Sequence, residues 1–438
     1  MIAGTSSGVG KTTVATGVMS ALRARGLRVA GAKVGPDFID PGYHALATGR
    51  PSRSLDAFLS GDDLLDDLAA DAASGCDVLV VEGVMGLFDG SGQEGCDGST
   101  ASVSRLLDAP VVLVVDASAM SGSVAALVHG YSSFDARVHV AGVVLNRVGS
   151  PGHATLLREA LEPLGIAVLG AIPRDDRLAW RERHLGLVPV AEHPEEIRSS
   201  IARLAAVVEE TLDLGALYEL ARGAPRRAAR DVPSASRVGA CRIALCAGPA
   251  FSFVYPENLR LLEQAGAELV PFDPLDATSL PEVCDGLYAG GGFPETYAAA
   301  LGANRPLLDE IRRRVAEGMA TWAECGGFLI LCASLDGVAM AGAIPGAAAE
   351  MGGTLTIGYR FATTRVAGFL GPSGTALRGH EYHRSTVTPA GDSLDLEGRF
   401  GSGRGGYVSP SLFASYLHQH LAATPQLAER FVRCVRSR

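Results

Sequence analysis

Residues 4–13 read Gly-Thr-Ser-Ser-Gly-Val-Gly-Lys-Thr-Thr (GTSSGVGKTT). A glycine-rich turn that opens a helix aims backbone N–H groups and the positive end of the helix dipole at one point, which suits an anion. The usual form of such a loop is Gly, four residues, then Gly-Lys-Ser/Thr. Counting back from Gly10 puts Thr5, not Gly4, in the first place, so this loop carries one extra residue. Gly8 and Gly10 allow close backbone approach, Lys11 reaches the β- and γ-phosphates of a nucleotide, Thr12 is the hydroxyl for magnesium, and Thr13 joins the nucleotide-binding set. Only Met1–Ala3 precede Gly4, so the expected first strand is unusually short or the start codon is misassigned.

Beyond the loop, short apolar runs alternate with helical patterns. DVLVVEG (77–83), PVVLVVDAS (110–118) and VAGVVLNRV (140–148) are continuous Val/Leu stretches too short for helices, as parallel strands buried on both faces require. Helical patterns at 12–26 and 153–165 each end at glycine, and a further one covers 195–221. The fold class is therefore α/β, with an N-terminal doubly wound parallel sheet around a P-loop. The pattern is lost in the Arg/Ala/Pro/Ser-rich segment 221–240, read as a linker between a domain at 1–220 and one at 241–438. It restarts with RIALCAG (242–248), a helix at 258–266 and strands at 267–272, 285–292 and 319–325.

Composition narrows the function. The chain of 438 residues is 47% hydrophobic with net charge −10, which argues against a nucleic-acid binder. No apolar run approaches the ~18 residues of a membrane span, and the cytoplasm is the expected location. Eight scattered cysteines without a C-x-x-C pair suggest neither a disulfide framework nor zinc. Among the 38 basic residues only Lys11 and Lys33 are lysine, as if lysine survives where a compact ammonium cannot be replaced by arginine's planar fork.

The second lysine belongs to GAKVGPDFIDPGYH (31–44), which sets Lys33, Asp37, Asp40 and His44 just after a short strand, at the edge where α/β sheets bind ligands. Asp37 and Asp40 are candidate substrate-facing acids. In VVEGVMGLFDG (80–90) a buried strand ends in Glu82, where a carboxylate can complete a magnesium shell.

Further along, TWAECGGFLIL (321–331) runs from a strand through Cys325 into Gly-Gly and an apolar helix. This is a nucleophile elbow, with the helix dipole expected to favour thiolate and the N–H groups of Gly326 and of Gly292 in GGGFPE (290–295) expected to form an oxyanion hole. ASYLHQH (414–420) offers His418 and His420 as partners.

Taken together, GTSSGVGKTT, KVGPDFIDPGYH, EGVMGLFDG and DAS followed by GVVLNRV resemble the amidotransferase-coupled relatives of dethiobiotin synthetase, and more narrowly the cobyrinic acid a,c-diamide synthases. The extra loop residue is normal in that family. The resemblance implies that ATP is bound through Lys11 and Thr12, that Asp37 and Glu82 stand on the metal side, that Lys33 lies beside the transferred phosphoryl group and that Asn146 reads adenine. Ser6 stands where partition-type ATPases carry a signature lysine, which opposes the rival reading of a partition or regulatory ATPase with an inactive amidotransferase fold.

The C-terminal half resembles class I glutamine amidotransferases, with Cys325 as nucleophile and His418 as base. That triad usually has glutamate two residues after the histidine, and here the position is His420, so what orients His418 is left open. The implied reaction is ATP-dependent amidation of the a- and c-carboxylates of cobyrinate or hydrogenobyrinate, through acyl phosphates and with glutamine as amide donor. Nickel-sirohydrochlorin is the alternative acceptor. The implied partners are these small molecules, without nucleic acid or membrane, and a homodimer is left open. GHEYHRS (379–385), with His380, Glu381 and His383, carries no assigned role.

Overall fold

β1 (Ile2–Gly4), only three residues long, is the hinge of a seven-stranded sheet in the order β3-β2-β4-β1-β5-β6-β7. The others are β2 (Val29–Val34), β3 (Arg53–Leu55), β4 (Val78–Glu82), β5 (Val111–Asp116), β6 (Val140–Val148) and β7 (Ala167–Pro173), and every neighbouring pair is parallel. A computed structural model describes residues 1–438 apart from 91–97, 176–177, 179, 181, 184–185, 229–230, 400 and 438, and excluding the side chains of 182, 183 and 186. Strand order reverses at β1, which lies between β4 and β5, so the crevice of a doubly wound sheet opens at its C-terminal end. The valine-rich strands supply the core: Val111, Leu113, Val115, Val143 and Leu145 are fully buried against Val124 and Val128.

α1 (Lys11–Ala24) starts directly after the loop, and α2 (Asp40–Thr48) starts after β2. The helical pattern expected over 195–221 is two helices, Pro194–Thr211 and Leu214–Arg222. Leu212 turns extended and bridges to Gly170 of β7, and the Asp213 carboxylate accepts from the Ala216 N–H to start the second helix. An outside strand thus captured the backbone where side-chain periodicity ran on undisturbed.

Two compact units result, Met1–Ala57 with Gly61–Val232, and Phe58–Ser60 with Pro233–Arg438. The expected linker at 221–240 begins inside the helix Leu214–Arg222, and its described remainder has no regular secondary structure.

The second unit is built on a six-stranded sheet. Its order is Ala267–Phe272, Cys241–Cys246, Gly286–Ala289, Ala320–Glu324, Leu412–Ser415 and Tyr407–Val408, parallel except for the last. One face packs on Phe328, Leu329 and Leu331; the other carries Trp322 and Phe413 and packs on Phe431. Beside it, Thr356–Thr364 and Ala376–His383 pair antiparallel in a smaller sheet. Among the described residues no helix is long and apolar enough to cross a membrane.

Candidate active site

The N-terminal loop is held from three sides. Gly8 and Gly10 have φ of 77° and 96°, the left-handed region where glycine is favoured. The Asn146 amide donates to the Val9 carbonyl at 2.8 Å, and Lys11 Nζ donates back to the Ser6 carbonyl at 3.0 Å. The extra residue has its own anchor, because Tyr131 donates its hydroxyl hydrogen to the Thr5 carbonyl. On the helix side, Trp180 Nε1 donates to Thr13 Oγ1 at 3.1 Å. Lys11 is 8% exposed, and its pKa is pushed down to about 8 by burial first and then by Lys33.

Next to the loop lies a buried polar network centred on Glu82. Thr12 donates to Glu82 Oε1 at 2.7 Å, Lys33 Nζ donates to the same oxygen at 2.9 Å, and His44 Nε2 meets Oε2 at 2.6 Å. Lys33 also bridges to Asp40 at 2.7 Å and donates to the Gly83 carbonyl at 3.0 Å. Asp37 Oδ1 accepts from the N–H groups of Ile39 and Asp40 at the start of α2, which leaves Oδ2 to offer. Burial alone would drive Lys33 and Glu82 neutral. Instead Asp40 and Glu82 raise Lys33, while Lys33 and His44 hold the Glu82 carboxyl well below its ordinary range, so both stay charged.

The structure thus brings Thr12, Lys33, Asp40 and Glu82 into one network and ties Asn146 to the loop backbone. Sequence reading named His44 in its motif without a role; here it fixes Glu82, with Nδ1 at 3.2 Å from Ser52 Oγ. Tyr131 and Trp180 gave no sequence signal, since lone aromatics outside motifs read as core.

In the second unit, the strand Ala320–Glu324 delivers Cys325 with φ 48° and ψ −103°, the strained backbone of a nucleophile elbow. The Cys325 N–H is donated to the Ser415 carbonyl at 2.8 Å. A Cβ on Gly326 would lie 3.0 Å from the Gly292 nitrogen, so the two proposed oxyanion donors, from two separate turns, lie side by side next to Cys325 in the chain fold. The thiol is pushed up by burial first and then by Glu295, which outweigh the Gly326 N–H. Burial thus works against the thiolate expected from the helix dipole; the helix behind it, Gly326–Leu331, has six residues.

His418 follows the neighbouring strand Leu412–Ser415, which puts it at the same C-terminal sheet edge. Its backbone exchanges hydrogen bonds with His380, at 3.0 and 2.9 Å. Asn258 clamps the next residues, donating to the Gln419 carbonyl at 2.7 Å and accepting from the Leu421 N–H at 2.8 Å. A Cβ on Gly291 would lie 2.4 Å from His418 Cε1 and 3.2 Å from Nε2. The imidazole edge therefore rests on the glycine turn beside the elbow. Burial, then His380 and His383, lower the His418 pKa to about 3.

The unassigned GHEYHRS cluster is paired: Glu381 meets Arg360 at 2.7 Å, and the His383 ring stacks on Tyr416 at 3.6 Å. Asn258, invisible to motif reading, is the residue that pins the histidine segment.

Comparison with known proteins agrees with this architecture. Residues 1–188 match the CobQ/CobB/MinD/ParA nucleotide binding domain, and residues 242–426 match the CobB/CobQ-like glutamine amidotransferase domain. The chain is 48% identical to the hydrogenobyrinate a,c-diamide synthase of Streptomyces coelicolor, over 99% of this chain and 97% of that protein. It is 45% identical to the protein of that name from Thermobifida fusca, over 99% and 96%, and 40% identical to the cobyrinate a,c-diamide synthase of a Synechococcus strain, over 99% and 97%. With this identity sustained end to end, and with a nucleotide-binding unit followed by a glutamine amidotransferase unit, the chain belongs to the cobyrinate and hydrogenobyrinate a,c-diamide synthase family.

Proposed function

We propose that this protein is a ligase that amidates the a- and c-carboxylates of a corrin-ring acid, using ATP to activate each carboxylate and glutamine as the source of ammonia. The observation that carries the reading is the pairing, in one chain, of a P-loop backed by the Thr12–Glu82 contact with a strained Cys325 elbow that shares a sheet edge with His418. Relatives at 45–48% identity carry the name hydrogenobyrinate a,c-diamide synthase and others at 39–40% the name cobyrinate a,c-diamide synthase, which favours hydrogenobyrinate as the acceptor.

At the glutaminase site the Cys325 proton passes to His418, and sulfur attacks the side-chain amide carbon of glutamine. The N–H groups of Gly292 and Gly326 receive the developing oxyanion. The C–N bond then breaks, ammonia leaves with the proton from His418, and water hydrolyses the thioester to glutamate. At the other site the Lys11 and Lys33 ammonium groups neutralise charge on the γ-phosphoryl group as a substrate carboxylate takes it. Ammonia displaces phosphate from that acyl phosphate and leaves the amide.

The hydroxyl of Thr12 and the carboxylate of Glu82, 2.7 Å apart, are hard oxygen donors of the kind that would hold magnesium. Bound there, it supplies charge neutralisation for the phosphates. Asn146, whose amide donates to the Val9 carbonyl of the loop, is the residue that the family resemblance assigns to adenine.

The test is to incubate the purified chain with ATP, glutamine and hydrogenobyrinate, cobyrinate or nickel-sirohydrochlorin, and to follow mass. Two successive amide gains on hydrogenobyrinate are expected. No gain on any of the three acids overturns the reading.

A further inference from the structure

The position two residues after His418, where the amidotransferase triad has its acid, is His420, and that ring turns away. His420 Nε2 lies 3.5 Å from Glu257 Oε2, and its ring stands edge-on to Tyr255. A different carboxylate faces the base. Glu324, immediately before the nucleophile, puts Oε2 at 3.9 Å from His418 Nδ1, with both side chains almost wholly buried.

Two donors fix that carboxylate. Glu324 Oε1 accepts from Trp322 Nε1 at 2.8 Å and from the Gln419 N–H at 3.3 Å. Trp322 is two residues back on the same strand and packed among Phe369, Phe413 and Phe431, so its indole cannot swing. With Oε1 pinned, Oε2 is the oxygen aimed at the imidazole. The His418 backbone is pinned as well, by His380 on one side and by Asn258 through Gln419 on the other. Only rotation of the ring is left for Glu324 to decide.

We infer that Glu324 is the positioning residue for His418, replacing the missing triad acid from the nucleophile's own strand. Its Oε2 accepts from Nδ1–H, which leaves Nε2, the nitrogen beside the Gly291 turn, unprotonated and able to take the thiol's proton. An acid adjacent in sequence to the nucleophile ties the geometry of base and thiol to one strand end. The 3.9 Å separation is an ion-pair distance, and a contraction of about 1 Å gives a full hydrogen bond. This inference rests on reading Cys325 and His418 as a glutaminase pair.

Several groups set the titration of this pair. His380 and His383, from the strand Ala376–His383, act on His418; Glu295, Glu324 and Glu381 act on Cys325; and Tyr288 lies within the field of Glu324. None of these is changed in Glu324→Gln except Glu324 itself, and the amide oxygen of Gln can keep the bonds from Trp322 and Gln419.

The full-length Glu324→Gln protein should release glutamate from glutamine ~10²-fold more slowly in kcat, with KM within about 2-fold of wild type. Amidation from free ammonia should be unchanged. Alkylation of Cys325 by iodoacetamide, followed by mass of its peptide across pH, should have its midpoint about one unit higher because the base loses its orientation, whereas mere loss of the Glu324 charge, which raises the thiol, would move it lower. Glutaminase within about 3-fold of wild type and a superimposed alkylation profile would overturn the proposal. If Glu324→Gln melts far below wild type, Glu324→Asp decides: partial return of the alkylation midpoint upholds it, and none overturns it. Cys325→Ser separates the two levels, since a fully active Cys325→Ser enzyme sinks the glutaminase reading itself.

Discussion

Thr12 and Glu82 lie 70 positions apart in sequence, yet the Thr12 hydroxyl donates to Glu82 Oε1 across 2.7 Å. The contact joins the first turn of α1 to the end of β4, because β1 pairs with β4 and the helix returns over that edge. Glu82 therefore connects the phosphate loop to Lys33, Asp40 and His44.

Removing Glu82 should be felt in stability as well as in activity. Glu82→Ala leaves the Lys33 ammonium with Asp40 and the Gly83 carbonyl and His44 without its acid, and the cost of breaking such a buried set is about 3–5 kcal/mol. Urea unfolding measures it. Because the folded Glu82 pKa is held below its unfolded value, the stabilisation is present above the unfolded pKa and fades as pH falls towards the folded one. The difference between wild type and Glu82→Ala should therefore narrow below about pH 4.

Lys11→Ala should abolish amidation with either glutamine or ammonia, measured by product mass. Normal turnover would remove the phosphate site from the mechanism. In wild type, the Lys11 pKa of about 8 should rise when a triphosphate arrives. Nucleotide binding above pH 8 is expected to take up a proton, visible in calorimetry as a dependence on buffer ionisation enthalpy.

Cys325→Ala should lose glutamine-dependent synthesis and keep synthesis from free ammonia. Parallel assays with the two nitrogen sources check this. Loss of both activities would mean that the sulfur does more than release ammonia.

Gly291→Ala tests the seat of the imidazole. The added methyl would lie 2.4 Å from His418 Cε1, so the ring must move and glutaminase activity should fall ~10²-fold. Ammonia-dependent synthesis should survive, and retained glutaminase would show that the turn does not hold the ring.

The pH dependence of folding should carry the mark of Glu324. Burial raises its folded pKa to about 8, above its unfolded value, so wild type loses stability as pH rises between the two, and the carboxylate form that accepts from His418 builds up across the same window. Glu324→Gln has no such loss. Denaturant titrations from pH 5 to pH 8 should show the variant gaining on wild type across that window, and a constant difference would contradict the raised pKa.

Local chemistry is written in short stretches of the chain. The loop at 4–13, the valine runs of the parallel strands and the elbow around Cys325 are each written within about ten residues, because glycine conformations, strand burial and helix starts follow from neighbouring side chains. Lys11, Thr12, Lys33, Glu82 and His418 could be named from such stretches. The tertiary structure alone decided which partner each of them meets. His44 on Glu82, Asn258 on the segment after His418, Tyr131 on the extra loop residue and Glu324 facing the base are contacts between strand ends or helix starts far apart in sequence. Sheet order and register bring them together, and no spacing rule along the chain encodes that. The same burial reversed one expectation, since taking Cys325 out of water raised the thiol where a helix dipole alone would have lowered it.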